Sequence, residues 1–365
     1  MSVFSAPAWD NHELVAFGSD ARTGLRAIIA VHDSSLGPGV GGCRMFPYAS
    51  DADALHDVLR LSRGMTYKSA LAGLPLGGGK SVIIGDPRRD KTPALIRAMG
   101  DFVHAQGGRY VAAEDSGTGV EDLRRMAERT PHVSGIDDNE HGGDPSPSTA
   151  YGVFLAIRTA VQHRLGVAST CGLRVAVQGL GHVGYHLARH LRTDGAVVYG
   201  ADVNPANITR ASDELGVLPV DPAEILSLEV DVLAPCAMGA VLNARSIDSL
   251  RAGIVAGAAN NQLDTAEDSA RLQGHGILYC PDFLVNAGGI IDVHYQRAGL
   301  PAEAKRAHIE RIVDTLAEVL HRADVTGRPS NEVAEALAVE YLRDAARAPR
   351  ATELPLSAGS LAPHS

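Results

Sequence analysis

Three charged residues stand in stretches that are otherwise apolar or rich in glycine: Lys68 in MTYKSAL, Lys80 closing LPLGGGK, and Asp115 in AAEDSG. Lysine and aspartate ordinarily lie on solvated faces, so three of them in such surroundings point to buried, working charges. In a dry cleft with a second ammonium close by, a lysine pKa falls toward the range of a general base, and a nearby carboxylate can pass protons. A second feature supplies what that acid-base set would serve. Gly179-Leu180-Gly181-His182-Val183-Gly184 is a GxGxxG run between an apolar strand pattern over 173–178 and a helical pattern over 185–192. The first glycine permits a sharp turn, the second lets backbone amides approach a pyrophosphate, and the third lets helix meet strand. Asp202 follows Gly179 by roughly 20 residues at the end of the next strand, where a carboxylate accepts the adenosine ribose hydroxyls and repels a 2′-phosphate; NAD is expected over NADP.

A competing chemistry is phosphoryl transfer, because Gly79-Lys80-Ser81 resembles the end of a phosphate-binding loop. The glycine that would open such a loop, Gly73, is one residue out of register, and the lysine leads into a strand pattern instead of a helix. The four cysteines, Cys43, Cys171, Cys236 and Cys280, lie far apart without a CxxC pair or a Cys/His cluster. Packing roles in a reducing compartment are expected, and no metal site.

The elements that must hold these residues follow from periodicity and turn chemistry. A buried strand is predicted over 25–31, then a Gly/Pro-rich turn over 36–42, and a helix over 51–63 with Ser50 or Asp51 as its cap. That helix delivers the chain to Lys68. A glycine-rich stretch over 76–80 leads into a strand over 81–84, a helix over 93–106 and a strand over 109–113. A polar segment over 135–147 marks a boundary, with a helix over 150–163 behind it. Beyond it strands over 175–178, 197–201, 230–233, 254–258 and 277–279 alternate with helical stretches, the rhythm of a mostly parallel doubly wound sheet. A single long helix is predicted over 302–322. The fold class is α/β: an N-terminal α/β domain over 1–140, then a Rossmann-type doubly wound NAD-binding domain over 141–330. A C-terminal helix over 331–350 is expected to pack back on the first domain, with a disordered tail over 351–365.

The 365 residues suffice for two cores of ordinary size, and 45% hydrophobic with 21% charged residues is a globular composition. Asp+Glu 43 against Lys+Arg 33 gives a formal net charge of -10, which argues against nucleic-acid and anionic-membrane partners. No stretch approaches the ~18 apolar residues of a membrane span, and no secretory leader pattern opens the chain, so a cytoplasmic location is expected.

Seven runs in fixed order carry a specific resemblance: LGPGVGGCRM from Leu36, LRLSRGMTYKSALAGLPLGGGKSVIIGDP from Leu59, AAEDSGT from Ala112, GGDPSPSTAYGV from Gly142, APCAMGA from Ala234, GAANNQL from Gly257 and PDFLVNAGGII from Pro281. Over about 12–345 the chain resembles the leucine/valine/phenylalanine dehydrogenases of the glutamate dehydrogenase superfamily, leucine dehydrogenase most of all. The resemblance implies that Lys68 holds a substrate α-carboxylate, that Lys80 polarises the carbonyl or activates water, and that Asp115 handles protons. It implies a side-chain pocket around Val40, Gly41, Ala113, Ser134, Ile290 and Val293, with Asn261 also at the substrate. Thr149, Ala237 and Asn260 join the glycine loop and Asp202 at the cofactor.

The pocket residues are small or aliphatic, and no charge is in view to pair a second carboxylate, which argues against glutamate. A branched-chain substrate is expected, leucine, valine or isoleucine, converted to its 2-oxo acid and ammonia; phenylalanine or tryptophan is the alternative. A non-catalytic NAD-binding regulator would be expected to lack Lys80 or Asp115, and both are present. The family forms homo-oligomers, and the resemblance implies the same here, with the N-terminal α/β domain over 1–140 as the substrate and oligomerisation domain. Four positions depart from the leucine-enzyme pattern: Cys43 for threonine, Ser116 for valine, His182 for asparagine and His294 for alanine.

Overall fold

The computed structural model describes residues 2–136, 144–237 and 239–347. The tail and most of the predicted polar boundary segment lie outside the described residues. In chain order the elements of the first half are β1 (Leu14–Asp20), β2 (Leu25–Asp33), β3 (Gly39–Phe46), α1 (Asp51–Leu71), β4 (Gly77–Ile84), α2 (Pro93–His104), β5 (Tyr110–Ala113) and α3 (Val120–Ala127). Its strands form one sheet in the order β1-β2-β4-β3-β5. The pairs β1–β2 and β2–β4 are antiparallel, and β4–β3 and β3–β5 are parallel. From Ala27 to Val31 the strand is continuously apolar because both faces of the sheet are covered there, whereas Arg26 is exposed. Ile28 and Ala30 meet Ala54, Val58 and Leu59 of α1, while Ile29 and Val31 meet Ile96, Met99 and Leu123 of α2 and α3.

The second half continues with α4 (Ser146–Leu165), β6 (Arg174–Gln178), α5 (His182–Thr193), β7 (Val197–Ala201), α6 (Pro205–Leu215), β8 (Leu218–Pro219) and β9 (Val232–Pro235). Then come α7 (Ala244–Ser249), β10 (Ile254–Val255), α8 (Glu267–Gly274), β11 (Leu278–Tyr279), α9 (Asp282–Val285), α10 (Gly288–Ala298), α11 (Ala302–Glu310), α12 (Ile312–Thr326) and α13 (Ser330–Arg347). Its sheet is β11-β10-β9-β6-β7-β8, every pair parallel. The strand order reverses between β6 and β9, the switch point where doubly wound sheets open a ligand crevice. Val333, Ala334, Leu337 and Ala338 of α13 share one core with Tyr67, Ala70 and Leu71 of α1, so the chain's last helix buttresses the one that carries Lys68.

Several sequence expectations are corrected here. The segment expected as a Gly/Pro turn contains the start of β3, paired on both sides. The first long helix does not stop at Arg63: α1, capped by Ser50, runs through Gly64 and Lys68 to Leu71. The glycines before Lys80 are themselves strand residues of β4. The predicted single helix over 302–322 is two helices meeting at Arg311, whose backbone stays in the helical region (φ -67, ψ -14), and neither Gly nor Pro announces the break. Ile309 and Ile312 pack beside Leu74 and Ile291, whereas Leu316, Val319 and Leu320 enter the larger core, so the bend serves two separate contacts. Cys43 and Cys280 are buried as expected, but Cys171 is exposed.

Candidate active site

Lys80 owes its position to the glycines before it. A Cβ on Gly78 would lie 2.1 Å from Thr66 Oγ1 and 2.2 Å from the Thr66 nitrogen, and one on Gly41 would lie 1.8 Å from the Gly79 carbonyl oxygen. The bare backbone therefore lets α1 lie directly on β4 and β4 directly on β3, where both strands and the helix bring their charges to the same end. The Lys80 side chain is 6% exposed and its ammonium is paired with Asp115 Oδ2. The other carboxylate oxygen of Asp115 accepts hydrogen bonds from Arg44 Nε at 3.1 Å and the Ser116 N–H at 2.6 Å. Burial alone would push the Asp115 carboxyl up; Lys80, Arg44 and these hydrogen bonds outweigh it and hold the group well below the usual carboxylate range. Arg44 is fixed in turn by Asp57, which also accepts from the Tyr48 hydroxyl at 2.6 Å.

Lys68 projects from α1 into the same cleft and donates to Asn260 Oδ1 at 2.9 Å, joining the two halves of the molecule directly. The ammonium reaches the cleft surface but stands at its floor, where desolvation brings its pKa down to about 8 against the opposing pull of Asp282. Burial raises the Asp282 carboxyl, with Lys68 opposing. Asn286 also donates to Asn260 Oδ1, at 2.8 Å, while its own Oδ1 is buried without a partner. The cleft encloses about 370 Å³ and is lined by Lys68, Lys80 and Asp115 together with Val40, Gly41, Ala113, Thr149, Asn260, Asn261, Ile290 and Val293. Ser134 is not among them: it lines an adjoining cavity behind Val40 and Val293. Asp282, Phe283, Asn286 and Met65 also line the cleft and escaped the sequence reasoning. The run PDFLVN held the signal for three of them, an acid and an amide inside an apolar stretch.

At the other end of the cleft the glycine loop leaves β6 with Gly179 at φ +93, its N–H bonded to the Ala201 carbonyl at 2.8 Å. Ala237 lies against Gly179, and a Cβ on Gly184 would sit 1.8 Å from the Gly179 oxygen, so helix and turn touch backbone to backbone. Above Gly181, by contrast, no atom of the described residues would lie within 4 Å of an added Cβ. The N–H of Leu180 donates to Asp202 Oδ2 at 2.7 Å, and Asn204 N–H to its Oδ1 at 2.7 Å, so the carboxylate is already oriented at the end of β7. Val183 lines the cleft, and His182 begins α5 with its imidazole exposed, 3.4 Å from Asp144. A turn, an open backbone surface and a helix N-terminus fit a dinucleotide phosphate. The glycines of β4 do not: they are residues of a paired strand that Lys80 continues, where a phosphate loop would open a helix, which disposes of the phosphate-loop reading of Lys80.

Comparison with known proteins converges on this architecture. The family described as Glu/Leu/Phe/Val dehydrogenase, dimerisation domain, matches residues 14–132, and Glutamate/Leucine/Phenylalanine/Valine dehydrogenase matches 206–346. The chain belongs to the Glu/Leu/Phe/Val dehydrogenase family. It is 44% identical over 94% of both chains to leucine dehydrogenase of Geobacillus stearothermophilus, and 42% identical to L-tryptophan dehydrogenase of Nostoc punctiforme over 95% of this chain and 98% of that one. The crystal structure of the Nostoc punctiforme enzyme superposes with a TM-score of 0.80 at 41% identity, covering 92% of this chain and 97% of the other. As a member of the Glu/Leu/Phe/Val dehydrogenase family the protein is an amino acid dehydrogenase, an oxidoreductase.

Proposed function

We propose that this chain catalyses the reversible NAD-dependent oxidative deamination of a branched-chain L-amino acid to its 2-oxo acid, ammonia and NADH. The observation that carries the reading is the convergence of Lys68, Lys80 and Asp115 on one cleft that also presents the aliphatic or small side chains of Val40, Ala113, Ile290 and Val293. Lys68 pairs the α-carboxylate and so aims the side chain at that apolar wall. Lys80, held by Asp115, sits where its ammonium polarises a carbonyl oxygen in one direction and steers water onto the substrate carbon in the other. Asp115, kept ionised by Lys80 and Arg44, takes the proton released by that water and returns it to the departing ammonia. Nicotinamide adenine dinucleotide, when bound, supplies the hydride acceptor for the substrate Cα. Gly179 to Gly184 and Asp202 would hold it, with Thr149, Ala237, Asn260 and Asn261 near its reactive end; the Asp202 carboxylate, oriented by the Leu180 and Asn204 N–H groups, supports NAD over its 2′-phosphorylated form. The dimerisation-domain match supports a homo-oligomer, and the reading places it in the cytoplasm.

The relative that acts on L-tryptophan, together with the cavity behind Val40 and Val293, favours an aromatic substrate as the second reading. The test is NADH formation at alkaline pH with valine, leucine, isoleucine, phenylalanine, tryptophan and glutamate. Branched-chain turnover is expected. Preference for the aromatics would overturn the substrate and keep the mechanism; no turnover by folded, NAD-binding protein would overturn both.

A further inference from the structure

Asp282 brings to the cleft floor a carboxylate that the pairs around Asp115 leave unanswered. Lys80 pairs with Asp115, and Arg44 is shared between Asp115 and Asp57. Asp282, 8% exposed at the start of α9, closes no ion pair among the described residues. Neutral donors hold it instead. The Gln262 N–H reaches Oδ2 at 3.2 Å, the Tyr279 hydroxyl lies 3.4 Å from Oδ1, and the Asn261 and Phe283 N–H groups also bond the carboxylate. Backbone N–H groups favour the ionised form against the burial that opposes it. They also fix its place: Asn261 has a left-handed φ of 52°, and its carbonyl accepts the Ala240 N–H at 2.6 Å, so the turn that meets Asp282 is strained and held from both sides. Asn260, which opens that turn, is the hydrogen-bond partner of Lys68.

The charged groups that act on Lys68 are Asp282 from α9, Lys80 from β4 and Asp115 from the loop after β5, while Asn260 and Asn286 beside it are neutral amides. Lys80 and Asp115 are paired with each other and act on Lys68 with opposite sign, so Asp282 is left as the carboxylate not already matched by a cation.

We propose that Asp282 is a positioning residue for substrate binding: its carboxylate is the standing counter-charge of Lys68, keeping that ammonium charged at the cleft floor until an α-carboxylate takes over the pairing. The inference rests on the reading of Lys68 as the partner of the α-carboxylate. Asp282 supports the ammonium without closing an ion pair on it, and it also repels an incoming carboxylate, so its removal has two separable effects.

The experiment measures the dissociation constant of isocaproate, a leucine-sized carboxylate without an amine, by calorimetry on the NADH-loaded protein over about pH 6 to 10. Wild type should hold the inhibitor up to about pH 8 and lose it progressively above, as the ammonium gives up its proton. In Asp282→Asn the break should fall by about one pH unit or more, the effect of removing an opposite charge at close range. Affinity below the break should be kept or should rise, because a repelling charge has gone. Asp282→Glu, which restores the charge, should return the break to about 8. Loosening of the fold would instead weaken isocaproate at every pH and leave the break in place, and that result overturns the proposal. Asp282→Ser, smaller and uncharged, is held to the same outcomes as Asp282→Asn, so misfolding of one variant leaves the other to decide. If wild type shows no break, or Lys68→Arg fails to remove it, the reading of Lys68 falls and this inference with it.

Discussion

The molecule has two glycine-rich runs at its cleft, Gly77 to Gly79 and Gly179 to Gly184, and they use the same residue for opposite ends. In β4 every added Cβ would strike the protein's own backbone or packed side chains: Gly77 meets the Asp33 oxygen at 2.4 Å, Gly78 the Thr66 nitrogen at 2.2 Å, and Gly79 the Tyr110 ring at 2.7 Å. None has positive φ, so what is needed there is space, taken up by α1 and β3. In the second run Gly179 needs its left-handed φ, and among the described residues nothing lies within 4 Å of a Cβ added to Gly181. One run closes a wall around a lysine, and the other keeps a surface open for something the chain does not itself provide.

The sharpest test of this division is Lys80→Ala. Turnover should fall by about 10³-fold or more, the scale of losing a general acid-base group, while NAD affinity measured by fluorescence titration changes less than about twofold. Loss of NAD binding in step with activity would mean that the two halves are not separable. Next in size is Gly78→Ala, expected to destabilise the fold by about 3 kcal/mol or more through overpacking of α1 on β4, read from denaturant unfolding. Gly181→Ala is its counterpart. Its melting temperature should stay within about 2 °C of wild type while NAD binds roughly tenfold more weakly. If the two alanines exchanged phenotypes, the contrast drawn above would be wrong. Asp202→Ala should weaken NAD by about tenfold and narrow the gap to NADP, seen in paired kcat/KM values.

The smallest effect is set by pH. Lys68 is depressed from 10.5 to about 8 in the folded protein, so above that pH it is increasingly neutral and cannot pair a carboxylate. Inhibition by a simple carboxylate such as isocaproate should therefore weaken as pH rises through about 8, approaching tenfold per unit, and Lys68→Arg should remove the break. For stability the sign is the reverse. Between about 8 and 10.5 the unfolded chain holds a proton that the folded one lacks, so the cost of burying this ammonium is present below 8 and is relieved as pH rises.

The parts of this design readable from sequence were those with a local signature. GxGxxG between strand and helix, Asp202 after the second strand and the apolar run of β2 all carry their reason within a few residues. The misread parts owe their form to distant neighbours. The helical spacing was followed only to Arg63, yet α1 passes on through Gly64, since Thr66 and Tyr67 are buried against the sheet and α13 and keep the chain helical. β3 contains three glycines and resembles a loop until β4 and β5 are present to pair it. Arg311 breaks a helix without leaving helical dihedrals, and periodicity is blind to that. Among site residues, Asp282 and Asn286 were missed because their importance comes from Lys68 and Asn260, which lie far away in sequence.

The hydrogen bond from Lys68 to Asn260 has a kinetic implication. On the proposed reading of Lys68, the amide oxygen of Asn260 sits on the ammonium where the α-carboxylate would bind, a tethered surrogate for it. Docking is then an exchange of one acceptor for another, and the net gain is smaller than the new ion pair alone would give. Release of the oxo acid runs the same exchange backwards, with Asn260 at hand to take over the ammonium as product leaves. A modest hold on both ligands follows, which suits a catalyst that must let go as readily in either direction.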